Sequence, residues 1–214
     1  MAADNSKIFN LFFVRHGETD FNLEGRFLGI SNEPLNEKGI SQAKMSAELL
    51  HTLHEKFDLI LTSPLKRAKE TAMNIANSLP YSIEIVEEEC LKERNYGKFE
   101  GKTQEELMKE FPIEISKYNE NKPNTLPPNG ELALAVEERV KNLLFKKLLK
   151  NYYPYKNIIL TTHLNPIRAA LIILGLKSRE IYYYKFNNAS LAMVEFHIME
   201  PLKSRLIHFD LIKK

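Results

Sequence analysis

The stretch Ile8-Phe9-Asn10-Leu11-Phe12-Phe13-Val14-Arg15-His16-Gly17-Glu18-Thr19 decides how the rest of the chain is read. Ile8–Val14 is a short apolar run that stops on a charged group, as a buried strand does. In open α/β sheets, ligands gather outside the carboxyl ends of the strands. A cation, an imidazole and a glycine at such a point suit an anionic ligand, because glycine lets backbone approach it closely. The same residues also fit a solvated turn with a surface histidine. The remaining segments must decide between the two.

Working outward, the chain alternates between strand-like and helix-like stretches. Asn36 is a good N-cap, and Ile40, Ala43, Ala47 and Leu50 recur at helical spacing through residues 37–54. Phe57–Leu61 is a second apolar run. Ser63-Pro64 then reads as a cap and a first-turn proline, opening a helix to about Ser78. Ser82–Val86 is a short strand candidate, and residues 102–111 and 131–151 look helical. Asn157–Leu160 is rich in β-formers, 166–175 is an apolar helix, and Leu191–Ile198 with Arg205–Ile212 predicts a terminal hairpin around Pro201. This order predicts an α/β three-layer sandwich. Its central sheet is mostly parallel, with helices on both faces and an antiparallel strand toward one edge. Tyr118–Gly130, with three prolines and four asparagines, reads as a loop of the kind that forms lids.

Composition narrows the function classes. The 214 residues correspond to about 1.4 domains of ordinary size, so one domain with an insertion is expected. Apolar residues are 43% and charged residues 27%, which argues against general disorder. A net charge of +2 is too balanced for a chain that coats nucleic acid, although it says nothing about local clustering. The one cysteine, Cys90, excludes an intramolecular disulfide framework and a multi-cysteine zinc site. The first residues have no basic region of a signal peptide, and the longest apolar stretch, Ala169–Leu176, is far short of a membrane span. A soluble protein of a reducing compartment, the cytoplasm, is expected, with no membrane or nucleic-acid partner.

Three further segments carry chemistry. Lys66 and Arg67 lie in the first turns of a predicted helix, the wrong end for cations unless an anion sits there. His163 and Arg168, in Thr162-His163-Leu164-Asn165-Pro166-Ile167-Arg168, again follow an apolar strand and precede a helix, and Arg168 reads as structural. Glu93 opens a glycine-punctuated loop, Glu93-Arg94-Asn95-Tyr96-Gly97-Lys98-Phe99-Glu100-Gly101. A carboxyl held near phosphate oxygens can act as a general acid. Alone, Arg67 fits a solvated arginine and Glu93 a surface carboxylate. His51, His54, His197 and His208 show no ligand spacing, and Tyr182-Tyr183-Tyr184 reads as packing in a strand or loop.

Taken together, these segments resemble the histidine phosphatase superfamily, which includes phosphoglycerate mutases and related small phosphatases. The resemblance runs from Leu11 to about Met193. It rests on Arg15-His16-Gly17-Glu18-Thr19 with Asn22, Pro34–Gly39, Ser63–Thr71, Leu91–Gly101, Pro127–Glu131, His163–Arg168 and Asn188-Ala189-Ser190, in the expected order. It implies a single domain over 1–214 with a lid or insertion around 94–130. It implies His16 as nucleophile through a phosphohistidine, Arg15, Arg67 and His163 as holders of the phosphoryl oxygens, and Glu93 as acid and then base. Asn22, Gly17 and Asn165 are expected at the phosphate or substrate. No metal and no cofactor are implied. The expected substrate is a small phosphorylated metabolite, handled by a monomer or homodimer. The chain departs from the pattern at Leu164, where glycine is frequent, and at Asn32, Phe99 and Leu132, where aspartate, tryptophan and serine are common. A mutase remains the alternative, since Glu93-Arg94-x-Tyr96-Gly97 is shared with that branch. The mutases' paired arginines have no counterpart in Lys102–Pro128, which holds only lysines among its cations. A non-catalytic binding module on the same fold is the more distant alternative.

Overall fold

β1 (Ile8–Arg15) runs through the middle of a six-stranded sheet of order β3-β2-β4-β1-β5-β6. The computed structural model describes residues 8–53, 56–184 and 186–209. The residues before Ile8, the expected helix end at His54 and the last hairpin residues, 210–212, lie outside them. β2 (Leu59–Thr62), β3 (Ile85–Glu87) and β4 (Asn157–Thr162) run parallel to β1, in register Phe12↔Ile159 and Ile60↔Ile159. β5 (Leu191–His197) is antiparallel to β1 and to the edge strand β6 (Arg205–Phe209). The predicted sandwich is therefore present.

β1 is central because both its faces are apolar. Leu11, Phe12, Phe13 and Val14 have no exposed surface, and burial of each such side chain is worth about 1.5–3 kcal/mol. Alternate residues point to opposite faces. Leu11 and Phe13 pack with Val136, Val140, Ile167 and Leu171 of α6 (Ala133–Asn142) and α8 (Leu164–Ile173). Phe12 and Val14 pack with Ala47, Leu50, Ala72 and Ile75 of α2 (Glu37–Leu53) and α3 (Lys66–Ser78). Between Thr19 and α2 lies one short helix, α1 (Asp20–Leu23).

Several elements differ from expectation for local reasons. α3 begins at Lys66, not Pro64, and Ser63 does not cap it; the Lys66 N–H is taken by Asn32 Oδ1 at 2.7 Å. Ile40 is 38% exposed, and Gly39 turns inward in its place, because α2 packs directly against the Gly17 backbone. Residues 112–120, partly assigned to a loop, form α5 (Pro112–Glu120), with proline in its first turn, after α4 (Gln104–Glu110). The expected helix over 131–151 is α6, a π-helical turn Leu143–Lys147 and α7 (Leu148–Asn151). Tyr182 and Tyr183 belong to a 3₁₀ turn, Arg179–Tyr183. α4, α5, the loop before them and Phe27 from the segment after α1 share a small second core with Tyr96, Phe99, Leu107, Phe111, Ile115 and Tyr118.

Candidate active site

Parallel strands deliver their carboxyl ends to one edge of the sheet. Backbone pairing continues past the strands there: His16 N–H donates to Thr162 O at 2.9 Å, and Ser63 N–H to Thr161 O at 2.9 Å. His16, Ser63 and His163 therefore lie side by side. The rings of His16 and His163 are 5.1 Å apart between centroids. Both side chains are buried, His16 at 2% and His163 at 0% exposure.

His16 Nδ1 lies 2.7 Å from the Gly17 carbonyl. A carbonyl only accepts, so Nδ1 carries the proton and Nε2 keeps its lone pair. Burial, then the positive charges of Arg67 and Arg15, push the His16 pKa well below the ordinary histidine value. His163 is pushed down by burial and by Arg67, His16 and Arg15. Its Nε2 lies 2.8 Å from Ser63 Oγ, while its buried Nδ1 has no partner.

Arg67, from the first turn of α3, donates to Ser31 O and Gly29 O, each at 2.7 Å. That loop is shaped by Glu100, whose carboxylate accepts the N–H groups of Ile30, Ser31 and Tyr96. Gly29 has φ +54°, a left-handed conformation that favours glycine, and a Cβ there would displace the Glu100 carboxylate. Arg15 donates to Phe186 O. Nε of both Arg15 and Arg67 is buried without a partner. Burial lowers the pKa of each to about 10, while Glu93 pulls both back up. No carboxylate forms an ion pair with Arg15, Arg67 or Arg168 among the described residues, so the site carries excess positive charge.

Glu93 sits at the N-terminus of α8. It accepts hydrogen bonds from Arg94 N at 2.8 Å, Leu164 N at 3.2 Å, and Asn165 N and Nδ2 at 3.2 and 3.0 Å. Asn165 Nδ2 also donates to Tyr96 OH at 3.0 Å, so this amide spans Glu93 and Tyr96. Arg139, paired with Glu131, holds the Glu93 carbonyl at 2.8 Å.

The predicted residues thus converge, with two differences in what they touch. Gly17 is needed because its Cβ would lie 2.3 Å from Gly39 O, a demand set by protein backbone. Asn22 Oδ1 accepts from Asn188 Nδ2 at 2.9 Å, and Asn188 also reaches the carbonyls of His16 and Gly17. Arg168 is buried, stacked over Tyr182 and Phe186, and donates to Tyr184 O. Sequence reasoning did not single out Asn188, Tyr96 or Ser63 individually; each lay inside a matched segment, with no spacing signal of its own. Among the described residues, no group of three or more His, Cys, Asp or Glu side chains gathers, and no helix is long and apolar enough to cross a membrane.

The family model of the histidine phosphatase superfamily (branch 1) matches residues 11–206. The chain is 36% identical to the uncharacterized phosphatase PhoE of Bacillus subtilis over 183 residues, covering 86% of each chain. It is 31% identical to a 2,3-bisphosphoglycerate-dependent phosphoglycerate mutase of Bartonella henselae over 80% of this chain and 84% of that one. The crystal structure of the alpha-ribazole phosphatase from Shigella flexneri superposes with a TM-score of 0.78 at 26% identity, over 94% of this chain and 95% of that one.

Proposed function

Because this chain belongs to the histidine phosphatase superfamily (branch 1), we propose that it is a phosphomonoesterase working through a phosphohistidine on His16. The observation that carries this reading is the convergence of unpartnered, buried nitrogens of Arg15, Arg67 and His163 around a histidine that keeps Nε2 free.

In the first step, His16 Nε2 attacks phosphorus. The N–P bond forms, the ester P–O bond breaks, and Glu93 gives a proton to the leaving oxygen. In the second step, Glu93 takes a proton from water, the water oxygen bonds to phosphorus, and the N–P bond breaks. Arg15, Arg67 and His163 hold the phosphoryl oxygens, where fixed positive groups supply most of the stabilisation. Asn22, Gly17 and Asn165 complete the pocket wall. The arginines and histidines supply the positive charge, so the reaction as drawn needs no metal and no cofactor.

The charge around the site supports a monoester substrate. Arg15 feels both Arg67 and Arg168, and none of the three forms an ion pair among the described residues, a concentration of positive groups that suits a phosphoryl dianion. The mutase alternative calls for further cations to hold a second acidic group. Arg94 is not available for that, since its side chain is fully buried and held on the carbonyls of Glu131, Lys122 and Thr125. The proposed unit is a single domain with residues 94–130 as an insertion over the site, acting in the cytoplasm on a small phosphorylated metabolite, as a monomer or homodimer.

The test is phosphate release across sugar phosphates, phosphoglycerates, nucleotides and phosphopeptides, together with 3-phosphoglycerate assayed with a bisphosphoglycerate primer. Release from at least one class supports the reading. Fast interconversion of phosphoglycerates with little release of phosphate overturns it in favour of the mutase.

A further inference from the structure

Ser63 has a role that its place before a helix does not explain. Asn32 caps α3 at Lys66, so the serine hydroxyl is not needed there. Ser63 is fully buried and makes two side-chain contacts: Leu65 N–H donates to Oγ at 3.3 Å, and Oγ lies 2.8 Å from His163 Nε2.

Counting protons decides the direction of the second contact. A hydroxyl has one proton to give and two lone pairs to receive with. If Nε2–H donated to Oγ, the hydroxyl proton would have no acceptor among the described residues. Nδ1, which is buried and unpaired, would then be a bare lone pair in a site built for an anion. Two buried groups would be left unsatisfied, and each is costly. If Ser63 donates instead, Oγ receives from Leu65 and gives to Nε2, and a single group, the Nδ1–H, is left to meet a ligand.

We propose that Ser63 is a positioning residue that fixes the tautomer of His163, donating to Nε2 so that Nδ1–H is the group offered to the phosphoryl oxygens. The inference rests on the phosphatase reading for the role of that N–H, but not for the tautomer itself. Burial and the neighbouring positive charges keep His163 neutral, so only one ring nitrogen holds a proton. The two histidines then share one tautomer and present opposite functions: a lone pair from His16 and an N–H from His163.

The test uses the full chain labelled with 15N-histidine, with the His163 ring signals identified by their loss in His163→Gln. Long-range proton–nitrogen correlation should show His163 protonated on Nδ1 in the wild type. Ser63→Ala should shift population to the Nε2–H form and lower kcat by roughly 10–100-fold, the usual loss when a partner orienting a histidine is removed from a metal site. Ser63→Thr, which keeps the hydroxyl, should restore both. A wild-type His163 protonated on Nε2 overturns the proposal. So does a Ser63→Ala protein with unchanged tautomer and kcat. Should Ser63→Ala fail to fold, the wild-type tautomer decides alone. A wild type that hydrolyses no phosphate ester yet shows the Nδ1–H form fells the phosphatase reading and leaves this one standing. An active wild type with Nε2–H does the reverse.

Discussion

Asn165 joins Glu93 to Tyr96, its single amide nitrogen lying 3.0 Å from a carboxylate oxygen of one and 3.0 Å from the hydroxyl of the other. The carboxylate proposed to move protons is therefore fixed from both sides of the site, by the N-terminus of α8 and by the loop that leads into the insertion. Replacing Asn165 with Leu removes the amide but keeps the volume. It should lower kcat about tenfold or more on an ester whose leaving group needs a proton, with little change in kcat or KM on an activated ester that needs none. Equal losses on activated and unactivated esters would mean that Asn165 serves binding instead of Glu93.

His16→Ala should abolish labelling of the protein by a phosphoryl donor and reduce turnover to near background, since the covalent route disappears. Acid-labile, base-stable radiolabel on the wild type and none on the variant is the expected pair of results. A variant that retains the wild-type rate contradicts the phosphohistidine route.

The lowered pKa values of His16 and His163 carry two consequences. The free protein keeps its nucleophile unprotonated well below pH 6.5. Once the ionisation of the substrate phosphate is allowed for, kcat/KM should show no histidine inflection near that pH. Stability follows the opposite direction from a salt-bridged histidine. Below about pH 6.5 the unfolded chain binds protons that the native histidines refuse, so stability is full above that pH and declines as pH falls through it. Urea midpoints between pH 8 and pH 5 check this, and the decline should be smaller in His163→Gln.

Arg67→Met should raise the barrier by about 2.7–4 kcal/mol, the usual loss of one donor to developing charge. It also strands the Gly29 and Ser31 carbonyls, so the variant should melt earlier than the wild type. Kinetics and calorimetry on one preparation separate the two effects.

The parts of the fold visible in the sequence were those set by local pattern. Ile8–Val14 reads as a buried strand, because its consecutive apolar side chains need cover on both faces. His16 and His163 were legible as strand-end residues for the same reason. What stayed hidden was set by contacts distant in sequence. Asn32 caps α3 from 34 residues away, which displaced the helix start from Ser63 and released that serine for His163. Ile40 fitted the helical stripe, but Gly39 took the core position because the Gly17 backbone lies against it. Asn188 reaches the Gly17 carbonyl across 171 residues, and no local pattern encodes that.

Arg94 shows how a motif residue can be legible while its task is not. Its place beside Glu93 fits either branch of the family, and only its partners decide. Nε donates to Glu131 O at 2.9 Å, Nη1 to Lys122 O at 2.7 Å and Nη2 to Thr125 O at 2.5 Å, while the guanidinium lies over the rings of Tyr96 and Tyr118. One side chain thus pins three points of the segment between α5 and α6. A residue used in this way tethers the segment proposed to cover the site and is expected not to bind substrate. Arg94→Met keeps much of the aliphatic volume and leaves those carbonyls unsatisfied, at about 1–3 kcal/mol each. Residues 121–131 should then lose amide-exchange protection and become cleavable by protease, while β1 and β4 stay protected. kcat should fall along with the release of that segment. If Arg94 instead held a substrate group, the variant would raise KM with the exchange pattern of 121–131 unchanged.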